Sequence, residues 1–167
     1  MIIRDEMGKD WSAVQAVNDA AFDTAAEGCL VAALRARAQP IVSMVAEIDG
    51  AIVGHILFTP VRLDNSPELV VMGLGPMAVL PGHQRQGIGS ALVQKGLQEC
   101  RELDVGAVVV LGHPEYYPRF GFAPAAEFGI NCTYEVPAEV FMVLELQPGY
   151  LDGVGGIIRY DPAFDGV

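Results

Sequence analysis

Two glycines stand one residue apart in Gln84-Arg85-Gln86-Gly87-Ile88-Gly89-Ser90, at the head of a run, Ala91-Leu92-Val93-Gln94-Lys95, that reads as a good helix. Glycine is the poorest common helix former after proline, so the pair weakens the helix it opens. What it offers in return is a place for an anion. A helix N-terminus leaves backbone N–H groups unpaired and carries about half a unit of positive charge. Without a Cβ, Gly87 and Gly89 let a phosphate approach those groups closely, and Arg85 adds a full charge beside them. The segment reads as a pyrophosphate cradle. The competing reading is that the two glycines merely allow close packing of helix on sheet.

The familiar cradles do not fit. A P-loop follows its glycines with Gly-Lys-Ser/Thr, whereas Gly89 is followed by Ser90-Ala91. A dinucleotide fingerprint needs a third glycine where Leu92 stands, and it belongs after the first strand of a βαβ unit.

The elements that must position this segment can be read from periodicity. Met1–Arg4 is a short apolar start suited to an edge strand. Trp11, Val14, Val17, Ala21 and Phe22 recur at helical spacing, and Leu30, Val31 and Leu34 continue in a second helix that ends near Arg37 before Pro40. Ser43–Ile48 and Ala51–Phe58 are β-type runs joined by Asp49-Gly50, a two-residue hairpin signal. Asp64-Asn65-Ser66-Pro67 is a loop, and Leu69–Leu80 is the third run of the meander. After Pro81-Gly82 come the cradle and a helix to about Leu103. Val105–Leu111 is apolar almost throughout, as in a strand covered on both faces. Tyr116–Phe120 suits one helical turn, Gly121 a turn residue and Phe141–Leu146 a last strand. The glycine-rich tail from Gly149 carries no assignable pattern. These elements predict a single α+β domain over 1–167, with a central mixed, mostly antiparallel sheet flanked by helices.

"GPMAVLPGHQRQGIGSALV" now carries more than its chemistry. The pattern Gln/Arg-x-x-Gly-x-Gly/Ala, entered from a strand ending Val-Leu-Pro and continuing into a helix, resembles the acyl-CoA signature of the GNAT N-acetyltransferase superfamily. A second block, "YYPRFGF" at 116–122, is similar to that family's tyrosine-plus-Gly-Phe segment and stands in the same order and separation. The resemblance covers about Ser43 to Phe122. The RFGF ending and the glycine-rich tail look like a bacterial subgroup of predicted N-acetyltransferases.

The resemblance implies a role for each part. Gly75-Pro76 interrupts a strand pattern, and proline cannot donate to a ladder. In the family a bulge there splays this strand from the next and opens a V that holds the pantetheine arm of acetyl-CoA. The arm would pair with the backbone of Met77, Ala78 and Val79, and one of those N–H groups would polarise the thioester carbonyl. Backbone N–H groups through Gln84, Arg85, Gln86, Gly87, Ile88, Gly89 and Ser90 would hold the pyrophosphate. Tyr117, five residues before Phe122, would be the general acid that protonates the leaving thiolate. Pro118 departs from the family, which continues helically there with a charged residue, although proline is tolerated in a first helical turn. Chemistry alone offers Glu27, Glu47, Glu115 and His113 as the base for the amine, His113 being best placed after the strand beside the opening. His55, in "VGHILF", reads as a strand histidine with a structural hydrogen bond.

Composition narrows the partners. Ten basic and 21 acidic side chains give a net charge of −11, which repels a phosphate backbone, so no nucleic acid is expected. The acidity favours a cationic acceptor. The cysteines Cys29, Cys100 and Cys132 and the histidines His55, His83 and His113 lack metal-ligand spacing, so no metal is expected. No apolar run reaches the roughly 18 residues of a membrane helix, and the start lacks a signal-peptide pattern, which predicts a cytoplasmic protein with no membrane partner. The reading is an acetyl-CoA-dependent N-acetyltransferase acting on a primary amine in a ternary complex, without a covalent enzyme intermediate. A small-molecule or peptide acceptor is open, and a homodimer on the last strands is a possible assembly. The alternative from another class is a non-catalytic acyl-CoA-binding sensor or regulatory module.

Overall fold

The Asp49-Gly50 hairpin forms as its chemistry requires. Both residues take positive φ, 51° and 80°, the conformation of a two-residue turn whose twist matches the flanking strands. It joins β2 (Val42–Ile48) to β3 (Ala51–Leu63) in an antiparallel ladder running from Ile48↔Ala51 to Val42↔Phe58. On the other side of β2 lies β1 (Ile2–Asp5), also antiparallel.

A computed structural model describes residues 1–165 and 167 of the chain. The chain divides into two compact units, one formed by Met1–Thr59, Gly75–Cys100 and Pro162–Val167, the other by Pro60–Leu74 and Arg101–Asp161.

In the first unit the hairpin is covered on both faces. Val45 and Leu57 pack with Val14, Leu30, Val31 and Leu34 of α1 (Trp11–Phe22) and α2 (Ala26–Arg37). The alternate residues face α3 (Ile88–Glu102): a Cβ at Gly54 would lie 3.1 Å from both Ile88 and Leu92, and one at Gly96 would collide with the Phe58 ring. Burial on both faces is why β3 reads as a continuous apolar run rather than an alternating one.

In the second unit the first part of β4 (Val71–Val79), as far as Leu74, pairs in parallel with β5 (Ala107–Leu111), from Val71↔Ala107 to Leu74↔Val110. β5 pairs antiparallel with β8 (Phe141–Glu145), which also holds the two-residue β6 (Ala123–Pro124). β7 (Ile130–Cys132) runs parallel to β9 (Gly156–Arg159), and β9 pairs antiparallel with the end of β3 at Arg62 and Leu63. Val61, Leu63, Val71, Ala107, Val109 and Val143 share this unit's core. The fold is α+β, with a mixed and mostly antiparallel sheet and three α-helices, as expected.

β3 runs five residues beyond the expected end at Phe58, straight through Pro60. Its ladder with β2 ends at Phe58 and its ladder with β9 begins at Arg62, so the residue without an N–H stands where no ladder needs one. β6, β7 and β9, absent from the expectation, are two to four residues long and too short to show a period.

Candidate active site

Every residue expected to receive the cosubstrate lies in the first unit, along one stretch from the end of β4 to the first turn of α3. The parallel ladder ends at Leu74↔Val110, and the next residue, Gly75, has φ +139°, which side-chain-bearing residues rarely adopt. The Gly75-Pro76 peptide is cis. Beyond it, Ala78 is buried and Met77 and Val79 are half-buried, so β4 keeps its strand alternation past the break.

The loop that follows is anchored at both ends. The Leu80 N–H donates to the Val53 carbonyl of β3 at 2.8 Å, and the Gln84 side-chain amide donates back to the Val79 carbonyl at 3.0 Å. Gln84 therefore spends one donor on closing the loop, a role the sequence did not signal. Arg85 has φ +63° and Gly87 φ +84°, so the chain passes twice through the left-handed region before the helix starts. Gln84, Arg85, Gln86 and Gly87 are exposed, whereas Ile88 is buried and pins the first turn of α3.

These dihedrals decide between the two readings of Gly87. A Cβ built there meets nothing within 4 Å, so the glycine does not serve helix–sheet packing; Gly54 and Gly96 do that. Gly87 serves the turn. Its carbonyl accepts the first helical bond, from the Ala91 N–H at 3.0 Å. The N–H groups of Ile88 and Gly89 precede that bond and have no intrahelical acceptor. The result is a helix N-terminus of positive potential, fronted by exposed backbone and flanked by Arg85.

Tyr117 belongs to the second unit. It opens a single 3₁₀ turn, Tyr117–Phe120, closed by Gly121 at φ +100°, whose N–H donates to the Pro118 carbonyl. Pro118 sits in the first turn, where a missing N–H costs nothing. The Tyr117 ring is 7% exposed, with Tyr116 and Phe122 edge-on at 5.1 and 5.7 Å between centroids. Burial, helped by the neighbouring Tyr116, pushes its phenol up to about 12, so it holds its proton throughout the neutral range. The Arg119 guanidinium lies 4.5 Å over the Tyr116 ring, which gives Tyr116 a packing role distinct from its neighbour's.

The possible bases separate by what already occupies them. Glu27 accepts from the Thr24 hydroxyl at 2.8 Å, and Glu47 pairs with Arg4 at 3.0 Å. His113 and Glu115 are exposed and belong to the same unit as Tyr117; the His113 carbonyl accepts the Tyr116 and Tyr117 N–H groups. His55 is buried, and both its nitrogens are engaged in the core. Ser43 Oγ donates to Glu6 at 3.1 Å and so accepts from His55 Nε2–H at 2.9 Å. Nδ1 is left to accept from the Asn18 amide at 3.4 Å. Burial, with Arg35 nearby, holds this imidazole down to about 3, so it is neutral at physiological pH.

The three cysteines form no disulfide, and among the described residues no cluster of His, Cys, Asp and Glu could hold a metal ion. No helix among them is long and apolar enough to cross a membrane.

Comparison with known proteins agrees with this geometry. Residues 5–122 match the model of the acetyltransferase (GNAT) family. The chain is 34% identical over 166 residues to the uncharacterized N-acetyltransferase YhbS of Escherichia coli K12, with 99% of each chain covered. It is 37% identical over 153 residues to the uncharacterized N-acetyltransferase YjhQ of the same organism, covering 86% of this chain and 84% of YjhQ. The crystal structure of Escherichia coli YhbS in complex with CoA superposes with a TM-score of 0.92 at 33% identity, over 98% of this chain and 91% of that one. A GNAT family acetyltransferase from Brucella melitensis, in complex with acetyl-CoA, gives 0.81 at 36% identity over 98% and 97%. With a family match over most of its length and relatives above 30% identity end to end, the chain belongs to the GNAT acetyltransferase family.

Proposed function

We propose that residues 1–167 act as one acyl-CoA N-acyltransferase domain that moves the acetyl group of acetyl-CoA to a primary amine by direct attack in a ternary complex. The observation that carries the reading is the head of α3. There a left-handed Gly87, with empty space at its Cβ position, opens a helix whose first N–H groups have no intrahelical acceptor, beside Arg85. The CoA and acetyl-CoA held by the two similar crystal structures support the same ligand here.

The N–H groups from Arg85 to Ser90 receive the pyrophosphate, and the backbone of Met77, Ala78 and Val79 pairs with the pantetheine amides. A strand N–H at 77–79 polarises the thioester carbonyl; losing a donor of that kind costs an enzyme roughly 100- to 1,000-fold in rate. The amine nitrogen forms its bond to the carbonyl carbon, the carbon–sulfur bond breaks, and Tyr117 gives its phenolic proton to the sulfur. The proton lost by the amine passes to His113 or to water. Because Tyr117 is protonated up to about pH 12, it enters the step as an acid. The net charge of −11 favours a cationic acceptor.

Calorimetric titration with acetyl-CoA, followed by an amine panel read as CoA thiol release, tests the reading. Saturable acetyl-CoA binding and turnover of at least one amine are expected. Binding with no turnover of any amine would favour a non-catalytic acyl-CoA sensor, and no binding by folded protein would overturn both.

A further inference from the structure

We propose that Gly112 is a positioning residue for Tyr117, its missing side chain providing the space in which the phenol ring is seated; the catalytic part of this role rests on the general-acid reading above. Gly112 follows β5, and its N–H donates to the Val140 carbonyl at 2.9 Å. Unlike Gly87 or Gly121, it has no positive φ, so its backbone conformation is one that any residue adopts. The reason for a glycine lies in what crosses it. A Cβ at this position would collide with Cε2 and Cδ2 of the Tyr117 ring and stand 3.2 Å from Cζ, the carbon that carries the hydroxyl.

The ring has little room to retreat. Tyr116 meets it edge-on at 90° and Phe122 at 76°, and the Tyr117 N–H is bonded to the His113 carbonyl at 3.3 Å. A side chain at 112 therefore moves the phenol rather than its neighbours, and a misplacement of about 1 Å at a reacting group can cost about 100-fold in rate.

The same device appears at the other end of β5 with a different outcome. Gly106 has no Cβ where the Tyr150 ring crosses it, and the Tyr150 hydroxyl accepts from the Val70 N–H at 2.8 Å. That tyrosine is a strut. The Tyr117 ring is seated in the same manner, yet its hydroxyl takes no such partner among the described residues, which leaves its proton available.

Three measurements on G112A test the assignment: acetyl-CoA affinity by calorimetry, kcat with the best amine of the panel, and the ring resonances of Tyr117 in tyrosine-labelled protein, assigned with Y117F. The expected result is affinity within about twofold of the parent, kcat lowered roughly 10- to 100-fold, and a displaced Tyr117 ring signal. In a Y117F background, G112A should cost no further kcat. An unmoved ring signal, or an equal kcat loss with and without the Tyr117 hydroxyl, overturns the proposal. If Y117F alone leaves kcat intact, the general-acid reading falls while the ring signal still reports the seat. Should G112A fail to fold, the double variant G112A/Y117A must regain the fold; failure to do so also overturns the proposal.

Discussion

At the scale of single residues, glycine does two unrelated jobs in this protein, and substitutions separate them. At Gly87 the backbone needs φ +84° and nothing crowds the missing Cβ. Gly87→Ala should therefore cost about 1 kcal/mol of stability through strain alone, readable as a shifted denaturant midpoint. Gly89, one residue into the helix, has a different expected outcome under the proposed function. Gly89→Val should remove acetyl-CoA binding in the calorimeter from a protein that remains folded, because the new side chain fills the cradle. Tyr117→Phe should leave acetyl-CoA affinity within twofold and lower turnover by roughly 100- to 10,000-fold. Parallel loss of affinity and turnover in Tyr117→Phe would remove the acid assignment.

At the scale of elements, legibility followed the length of the pattern. Trp11–Phe22 emerged with its observed bounds because apolar residues recur at helical spacing across all twelve positions. The Asp49-Gly50 hairpin was legible because few dipeptides tolerate two successive positive φ values. β3 was cut short at Phe58 because Pro60 reads as a terminator, and only the change of partner strand explains why it is tolerated. The cradle could be read as an anion site, yet the sequence could not say whether Gly87 served the turn or the packing, since that depends on neighbours far away in the chain. Gly112 read only as part of the Gly112-His113-Pro114 break after the strand, and neither it nor Gly96 signalled the ring it admits, because Phe58 and Tyr117 come against them only after folding. Helix α3 offers the corresponding test. Gly96→Val forces a side chain into the Phe58 ring and should cost about 1–3 kcal/mol by overpacking, with Tm falling roughly 2–4 °C for each kcal/mol.

At the scale of the molecule, the buried polar network of the first unit governs acid stability. His55 is held neutral, with a folded value of about 3 against 6.5 for a free imidazole. Between those two values the unfolded chain binds a proton that the native state refuses, so stability falls as pH drops from about 6.5 toward 3. The loss should be on the order of a few kcal/mol. Asp10, held down to about 2 mainly by its hydrogen bonds from Arg4, adds a second loss between about 3.8 and 2. Denaturant melts from pH 7 to 2 should show the first loss diminished in His55→Gln and the second in Asp10→Asn. If His55→Gln kept the full slope between pH 6.5 and 3, the acid sensitivity would belong to other groups.

The packing of the chain's last segment bears on synthesis. Ala163 and Phe164 lie against the cluster that Val14, Leu30 and Leu34 build near the other end of the sequence. The helices α1 and α2 thus wait for Ala163 and Phe164 to be translated before their shared core is closed. A nascent chain stalled at Asp161 would carry every strand and α-helix of the fold, yet present an uncovered apolar seam to chaperones. For the same reason a bulky group attached next to Phe164 would act, by proximity, on α1 and α2.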